Sequence, residues 1–293
     1  MGEIACVNGV FGPIEQATIS INDRGFQFAD GVYEVVPAYG LVPFRLADHL
    51  ERMAVSLRAI ELDVDLDALE IEPLVHQGLR RCALDRAMVY IQITRGSAPR
   101  THAMPSDLAP TLVMTFRSLP AVAPEQRRDG VGVITIPEFR WSRCCIKTTM
   151  LLPNILARRH ARRCGEHDAV FVADDGEVRE ATSANVALVS GDTLVLPRRT
   201  ERILHGVTLS VVEEWAAGAG LPVCERAVYR DEMLAADEVF LTNSSEEITP
   251  VTRIDGQSIG RGQPGPITAR VTHAYTALAR GLEPGTDVRA RSA

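Results

Sequence analysis

Two stretches limit the fold most: "DAVFVADDGEVREAT", Asp168 to Thr182, and "VALVSGDTLVLP", Val186 to Pro197. Each sets two β-prone runs around a turn, at Asp175-Gly176 and at Gly191-Asp192. Such dipeptides accept positive φ and close antiparallel hairpins, whereas parallel strands need a long crossover between them. "GVYEVVPAYGLVPFR" repeats the pattern with a turn at Tyr39-Gly40, and "MVYIQITRG" and "TLVMTFRS" are further β-rich runs. Strands that follow one another in hairpins leave a Rossmann arrangement unsupported and predict an α/β chain of the α+β type. Helices are expected in "LADHLERMAVSLRAI" and "GVTLSVVEEWAAGAG". The first has Leu46, Leu50, Met53, Leu57 and Ile60 at helical spacing, with His49, Arg52 and Ser56 on other faces; the second ends at Gly218 or Gly220.

The stretch "LPAVAPEQRRDG" has no apolar period and is rich in proline and charge, which reads as a linker over 120–130. It divides a small N-terminal α/β domain, 1–119, from a larger C-terminal domain, 131–282; the tail 283–293 reads as disordered. The chain has 293 residues, 46% of them hydrophobic, enough for a substantial core. A net charge of −7 without a basic block argues against nucleic acid or an anionic membrane as partner. With no signal-like N-terminus and no membrane-length apolar run, a soluble cytoplasmic protein is expected. Six scattered cysteines without a Cys-x-x-Cys pair predict neither a disulfide framework nor a metal site.

Lys147 is the single lysine among 31 basic residues. Arginine replaces lysine wherever charge alone is wanted, yet it cannot become the neutral amine that attacks a carbonyl carbon. Lys147 lies in "SRCCIKTTMLLPN", an apolar setting unusual for a solvated charge, so it is a candidate Schiff-base nucleophile. A lysine that holds an aldehyde cofactor such as pyridoxal 5'-phosphate needs three companions. A carboxylate is required at the ring nitrogen, and Glu180, followed by Thr182, Ser183 and Asn185 in "VREATSANVALV", is the candidate. For the phosphate cup, "HGVTLS" leads a glycine into a helix start at Val207 and Thr208, with Asn243 and Ser244 of "TNSSEEITP" closing it and Arg52 adding charge. The substrate group is the loop "TRGSAPRTHAMP", which offers Arg100 and His102 to a carboxylate.

These motifs, with "DRGFQFADGVYEVV", "RILHGVT" and "VFLTNSSEEITPV", resemble in order and spacing the D-amino-acid transaminase branch of the fold-type IV pyridoxal-phosphate enzymes. The resemblance runs from about residue 4 to about residue 260. It implies two domains with the cofactor at their interface, Lys147 as Schiff-base lysine and proton carrier, Glu180 at the pyridine nitrogen and Leu204 against the ring. It further implies that Arg52, Val207, Thr208 and Ser244 hold the phosphate, and that Tyr33, Arg100 and His102 grip the substrate carboxylate. The reaction implied exchanges an amino group between a D-amino acid of the alanine or glutamate kind and a 2-oxo acid, in ping-pong fashion. The Arg-x-His loop comes from the other subunit in this branch, so a homodimer is implied.

Branched-chain or aromatic L-amino-acid transaminases, R-selective amine transaminases and aminodeoxychorismate lyase share the lysine, glutamate and cup, and typically lack the Arg-x-His loop. That loop selects the D-amino-acid branch among them. Two positions depart from the family pattern: Ala181 stands where a glycine commonly follows the glutamate, and Asn243 where a hydroxyl residue can stand.

Overall fold

Gly176 and Gly191 adopt φ of 84° and 56°, the left-handed conformation that their hairpin turns require. The computed structural model describes residues 2–105 and 107–281, so the expected disordered tail lies outside the described residues. The chain divides into two units: residues up to Pro120 with Ile146–Leu151, and Ala121–Cys145 with the described residues from Leu152 onward.

The first unit contains β1 (Ile4–Val7), β2 (Val10–Pro13), α1 (Arg24–Phe28), β3 (Gly31–Tyr39), β4 (Val42–Pro43), α2 (Leu46–Ala59), α3 (Ile71–Cys82), β5 (Arg86–Thr94) and β6 (Thr111–Ser118). Its strands form an antiparallel sheet in the order β2-β1-β6-β5-β3-β4. Alternation along β5 and β6 buries Val89, Ile91, Ile93, Met114 and Phe116 on one face and leaves Tyr90, Gln92, Val113 and Thr115 half-buried on the other. Gly78 of α3 lies so close to the Phe116 ring that a Cβ would stand 2.0 Å from it, so this helix packs directly on the sheet. The buried residues of α2 are Leu46, His49, Met53, Ser56 and Leu57. His49 and Ser56 therefore share the inner face with the apolar residues, contrary to their expected outward placement, because partners described below need them there.

The second unit contains α4 (Pro124–Asp129), β7 (Val131–Pro137), α5 (Leu152–Arg163), β8 (Asp168–Val172), β9 (Val178–Ala181), β10 (Asn185–Ser190), β11 (Thr193–Pro197), α6 (Val207–Gly218), β12 (Val223–Arg226), α7 (Arg230–Leu234), β13 (Glu238–Asn243), β14 (Glu247–Ile254), β15 (Gln257–Ser258) and α8 (Pro266–Ala279). The sheet order is β12-β11-β10-β13-β14-β7-β8-β9, with β15 on β14. Three pairs, β11 with β12, β14 with β7 and β7 with β8, are parallel. Val170, Val186, Leu188, Val239, Leu241 and Ile254 build its core.

The segment expected as a linker carries α4 and belongs to the second unit. Pro124 starts the helix, and tertiary bonds hold it in place of an apolar face: Gln126 donates to Thr249, and Arg127 to Thr276 and Glu247. Ile146–Leu151, expected within the C-terminal domain, groups with the first unit because the backbone around Lys147 is bonded to β3.

Candidate active site

In the first unit the backbone on both sides of Lys147 is fixed. Its N–H donates to Ser56 Oγ at 3.2 Å, its carbonyl accepts from the Tyr33 N–H at 2.9 Å, and Thr148 forms a β-bridge with Val32. The amine lies 4.4 Å from the centroid of the Tyr33 ring, and that ring stacks on Tyr90 at 5.4 Å. Burial raises the Tyr90 hydroxyl well above its ordinary value, and it donates to Gln92 at 2.6 Å. The half-buried sheet face thus presents Lys147 and Tyr33 side by side.

On the other side of β3, Glu34 is fully buried and accepts from Arg52 Nε and Nη2, each at 2.7 Å, and from His49 Nδ1 at 2.7 Å. Burial alone would raise the Glu34 carboxyl; the Arg52 charge and the hydrogen bonds from Arg52 and His49 outweigh it and hold it at about 2. Burial depresses His49, and the Arg52 and Lys147 cations add to this against the pull of Glu34. A carboxylate only accepts, so neutral His49 carries its proton on Nδ1 and leaves Nε2 as an acceptor. Arg52, expected at a phosphate, is thus anchored by a bidentate pair that fixes its guanidinium plane.

Arg100 and His102 are exposed and meet around one ring. The Arg100 guanidinium lies 4.9 Å from the Phe28 centroid, and the His102 ring meets Phe28 edge-on at 5.8 Å. Among the described residues, no hydrogen bond or ring contact joins either of them to Tyr33 or Lys147.

In the second unit Glu180 is buried at the end of β9. Its Oε1 accepts from Arg140 Nη1 at 2.5 Å, and its Oε2 from the Leu204 N–H at 3.0 Å and Asn185 Nδ2 at 3.4 Å. Arg140 also pairs with Glu138 and stacks 4.2 Å over the Phe171 ring. Burial pushes the Cys144 thiol up to about 11, Arg140 opposing and Glu180 adding, so it stays protonated beside these charges. Asn185 bonds the Leu204 carbonyl as well, at 2.7 Å. A Cβ on Gly206 would stand 2.0 Å from Asn185 Oδ1, which makes glycine necessary there.

Gly206 is the N-cap of α6, whose first turn holds buried Val207 and Thr208, and no side chain at that cap accepts from the helix's first N–H groups. Thr242 of β13, opposite Asn185 in register, has a buried hydroxyl without a hydrogen-bond partner among the described residues. Uncapped N–H groups, an orphaned hydroxyl and a closely packed glycine at one sheet end fit an anion such as a phosphate. Asn243 Oδ1 accepts from Ser245 and Glu246 in its own turn. Arg140 was missed as a site residue, because its relevance depends on a distance from Glu180 that spacing does not reveal. Among the described residues, no group of three or more His, Cys, Asp or Glu is arranged to hold a metal ion.

The family model "Amino-transferase class IV" matches residues 31–254. D-alanine aminotransferase of Bacillus licheniformis is 37% identical over 268 residues, covering 91% of this chain and 94% of that protein. A branched-chain aminotransferase of Thermoproteus uzoniensis, solved with norvaline, is 26% identical with a TM-score of 0.86, over 97% of this chain and 96% of that one. The branched-chain amino acid aminotransferase of Escherichia coli is 23% identical with a TM-score of 0.86, over 98% of each chain, and shows the same fold. The mixed α/β fold expected from the hairpins is the one these structures share. The chain belongs to the amino-transferase class IV family.

Proposed function

We propose that this chain is a D-amino-acid aminotransferase that uses pyridoxal 5'-phosphate to exchange an amino group between a D-amino acid, of the alanine or glutamate kind, and a 2-oxo acid. The observation that carries the reading is the position of its single lysine, whose amine rests on the ring of Tyr33 in the same unit. The relative from Bacillus licheniformis supports the D-alanine assignment. When bound, the cofactor supplies an electron sink for the substrate α-carbon and carries the amino group between half-reactions.

Lys147 Nζ would anchor the cofactor covalently and would carry the proton of the substrate α-carbon. Glu180, paired with Arg140, would face the ring nitrogen of the bound cofactor, and Leu204 would pack against its ring. Arg52, Thr208, Ser244, Thr242 and the N–H groups at Val207 would hold the phosphate, with Asn243 in the turn that carries Ser244. Tyr33, Arg100 and His102 bind the substrate carboxylate. The exposed position of the Arg100 loop supports a homodimer in which it serves the partner's site. We read the first unit as the smaller, substrate-gripping domain and the second as the larger, cofactor-binding one. No helix among the described residues is long and apolar enough to cross a membrane, and six unpaired cysteines support a reducing, cytoplasmic setting.

Visible absorption of the purified protein with pyridoxal phosphate, repeated with D-alanine and with L-alanine, tests this reading. A band that shifts with the D-isomer alone supports it. A response to L-leucine in place of D-alanine moves the substrate to the branched-chain class. Absence of any band after adding the cofactor overturns the reading. Initial rates at varied concentrations of both substrates should give the parallel plots of a ping-pong enzyme.

A further inference from the structure

We propose that Phe28 is the positioning residue that sets the carboxylate-binding pair Arg100 and His102; the inference rests on the reading above. Three side chains converge on this one ring. The guanidinium carbons of Arg24 and Arg100 lie 4.8 and 4.9 Å from its centroid, and His102 meets it edge-on at 70°.

The ring itself is fixed. Asp23 caps α1 by accepting from the Gly25 N–H at 2.8 Å and also accepts from the Thr94 hydroxyl at 3.0 Å. A Cβ on Gly25 would stand 2.2 Å from Thr94, so the helix is pressed onto β5, and Ala29, at φ 55°, ends it directly after Phe28. Arg24, 4% exposed, pairs with Asp30 at 2.7 Å and donates to the Thr101 and Ala103 carbonyls, the two that flank His102. One buried arginine thus ties the loop backbone to the helix that carries the ring, and the ring in turn orients the two exposed side chains.

Arg100 and His102 make no other side-chain hydrogen bond or ion pair among the described residues. Without the ring, an exposed arginine samples many rotamers and loses that freedom each time a carboxylate binds. Phe28 removes that cost before substrate arrives. Its effect belongs to carboxylate binding and not to proton transfer at Lys147, so it separates KM from kcat.

The experiment compares Phe28→Leu, Phe28→Tyr and Arg100→Ala in the enzyme loaded with pyridoxal phosphate, with steady-state kinetics for D-alanine and 2-oxoglutarate, visible absorption and thermal unfolding. Phe28→Leu should raise KM for both substrates about tenfold and change kcat less than about twofold, with the visible band retained. Phe28→Tyr keeps the ring and should stay within about twofold of the parent. Should Phe28→Leu lose the band or unfold, Phe28→Met carries the same comparison with an unbranched side chain. Unchanged KM in Phe28→Leu, or equal damage in Phe28→Tyr, overturns the proposal. Unchanged KM in Arg100→Ala instead overturns the carboxylate reading of the loop on which it rests.

Discussion

Arg140 and Glu180 form an ion pair inside the second unit, Nη1 to Oε1 at 2.5 Å, with both side chains buried and Glu138 on the other edge of the same guanidinium. The guanidinium serves two carboxylates and one aromatic face at once, and Glu180 still receives the Leu204 N–H and Asn185 Nδ2 on its second oxygen. Glu180 is therefore oriented as well as charged.

Replacing Arg140 with Gln leaves Glu138 and Glu180 buried together without a cation. Breaking such a pair costs about 3–5 kcal/mol, because carboxylate charge is left without its counter-ion. Thermal unfolding should reveal the loss of stability. Turnover of the folded variant should fall as well, because Glu180 loses the contact that orients its Oε1; unchanged turnover would show that Arg140 acts only as scaffold. The groups that face Glu180 here are Arg140, Glu138 and Cys144, with Arg202 beside Cys144.

Lys147→Arg retains a cation over Tyr33 and removes the neutral amine. Turnover should fall by at least about 100-fold, and the visible band should disappear with it. A variant that kept the band would show that the lysine is not the covalent anchor.

Acidification should destabilise the first unit in two stages. His49 is held neutral, its folded value below the ordinary 6.5, so stability is full above that value and declines as the pH falls below it. Glu34 contributes above its ordinary 4.5 and loses the contribution as the pH falls towards about 2. At 1.36 kcal/mol per pH unit, that contribution is on the order of 3 kcal/mol. Unfolding free energies measured from pH 7 to pH 3 should fall throughout. Glu34→Gln should be less stable at pH 7, because the buried side of Arg52 loses its counter-charge, and should lose the decline below pH 4.5.

Gly206→Ala places a methyl group 2.0 Å from Asn185 Oδ1. The amide must move, and with it the bonds to Glu180 and the Leu204 carbonyl. An overpacking cost of about 1–3 kcal/mol corresponds to roughly a tenfold to hundredfold weaker hold on pyridoxal phosphate, read by titration of the apo-protein. Unchanged affinity would place the cofactor's contacts elsewhere than the start of α6.

The local features that suit this chemistry were legible in the sequence. A single lysine in an apolar run, a glycine leading into a helix, and Asp-Gly or Gly-Asp turns between β-prone runs each act through a few neighbouring residues. Period and turn chemistry therefore located β3, α2, α6 and both hairpins of the second unit. The segment at 124–129 was not legible as a helix, because its support comes from Thr249, Glu247 and Thr276, more than a hundred residues away. The inward turn of His49 and Ser56 was likewise hidden: helical spacing shows which residues share a face, and burial of a polar side chain depends on a partner such as Glu34, which only the packing of α2 on β3 supplies. Residue type alone determined which groups can act as nucleophile, carboxylate and anion cradle. Tertiary structure alone decided which cation holds Glu180, what anchors Arg52 and which ring gathers Arg100 with His102, because electrostatic and stacking energies depend on distances of a few ångströms that the order of residues does not encode.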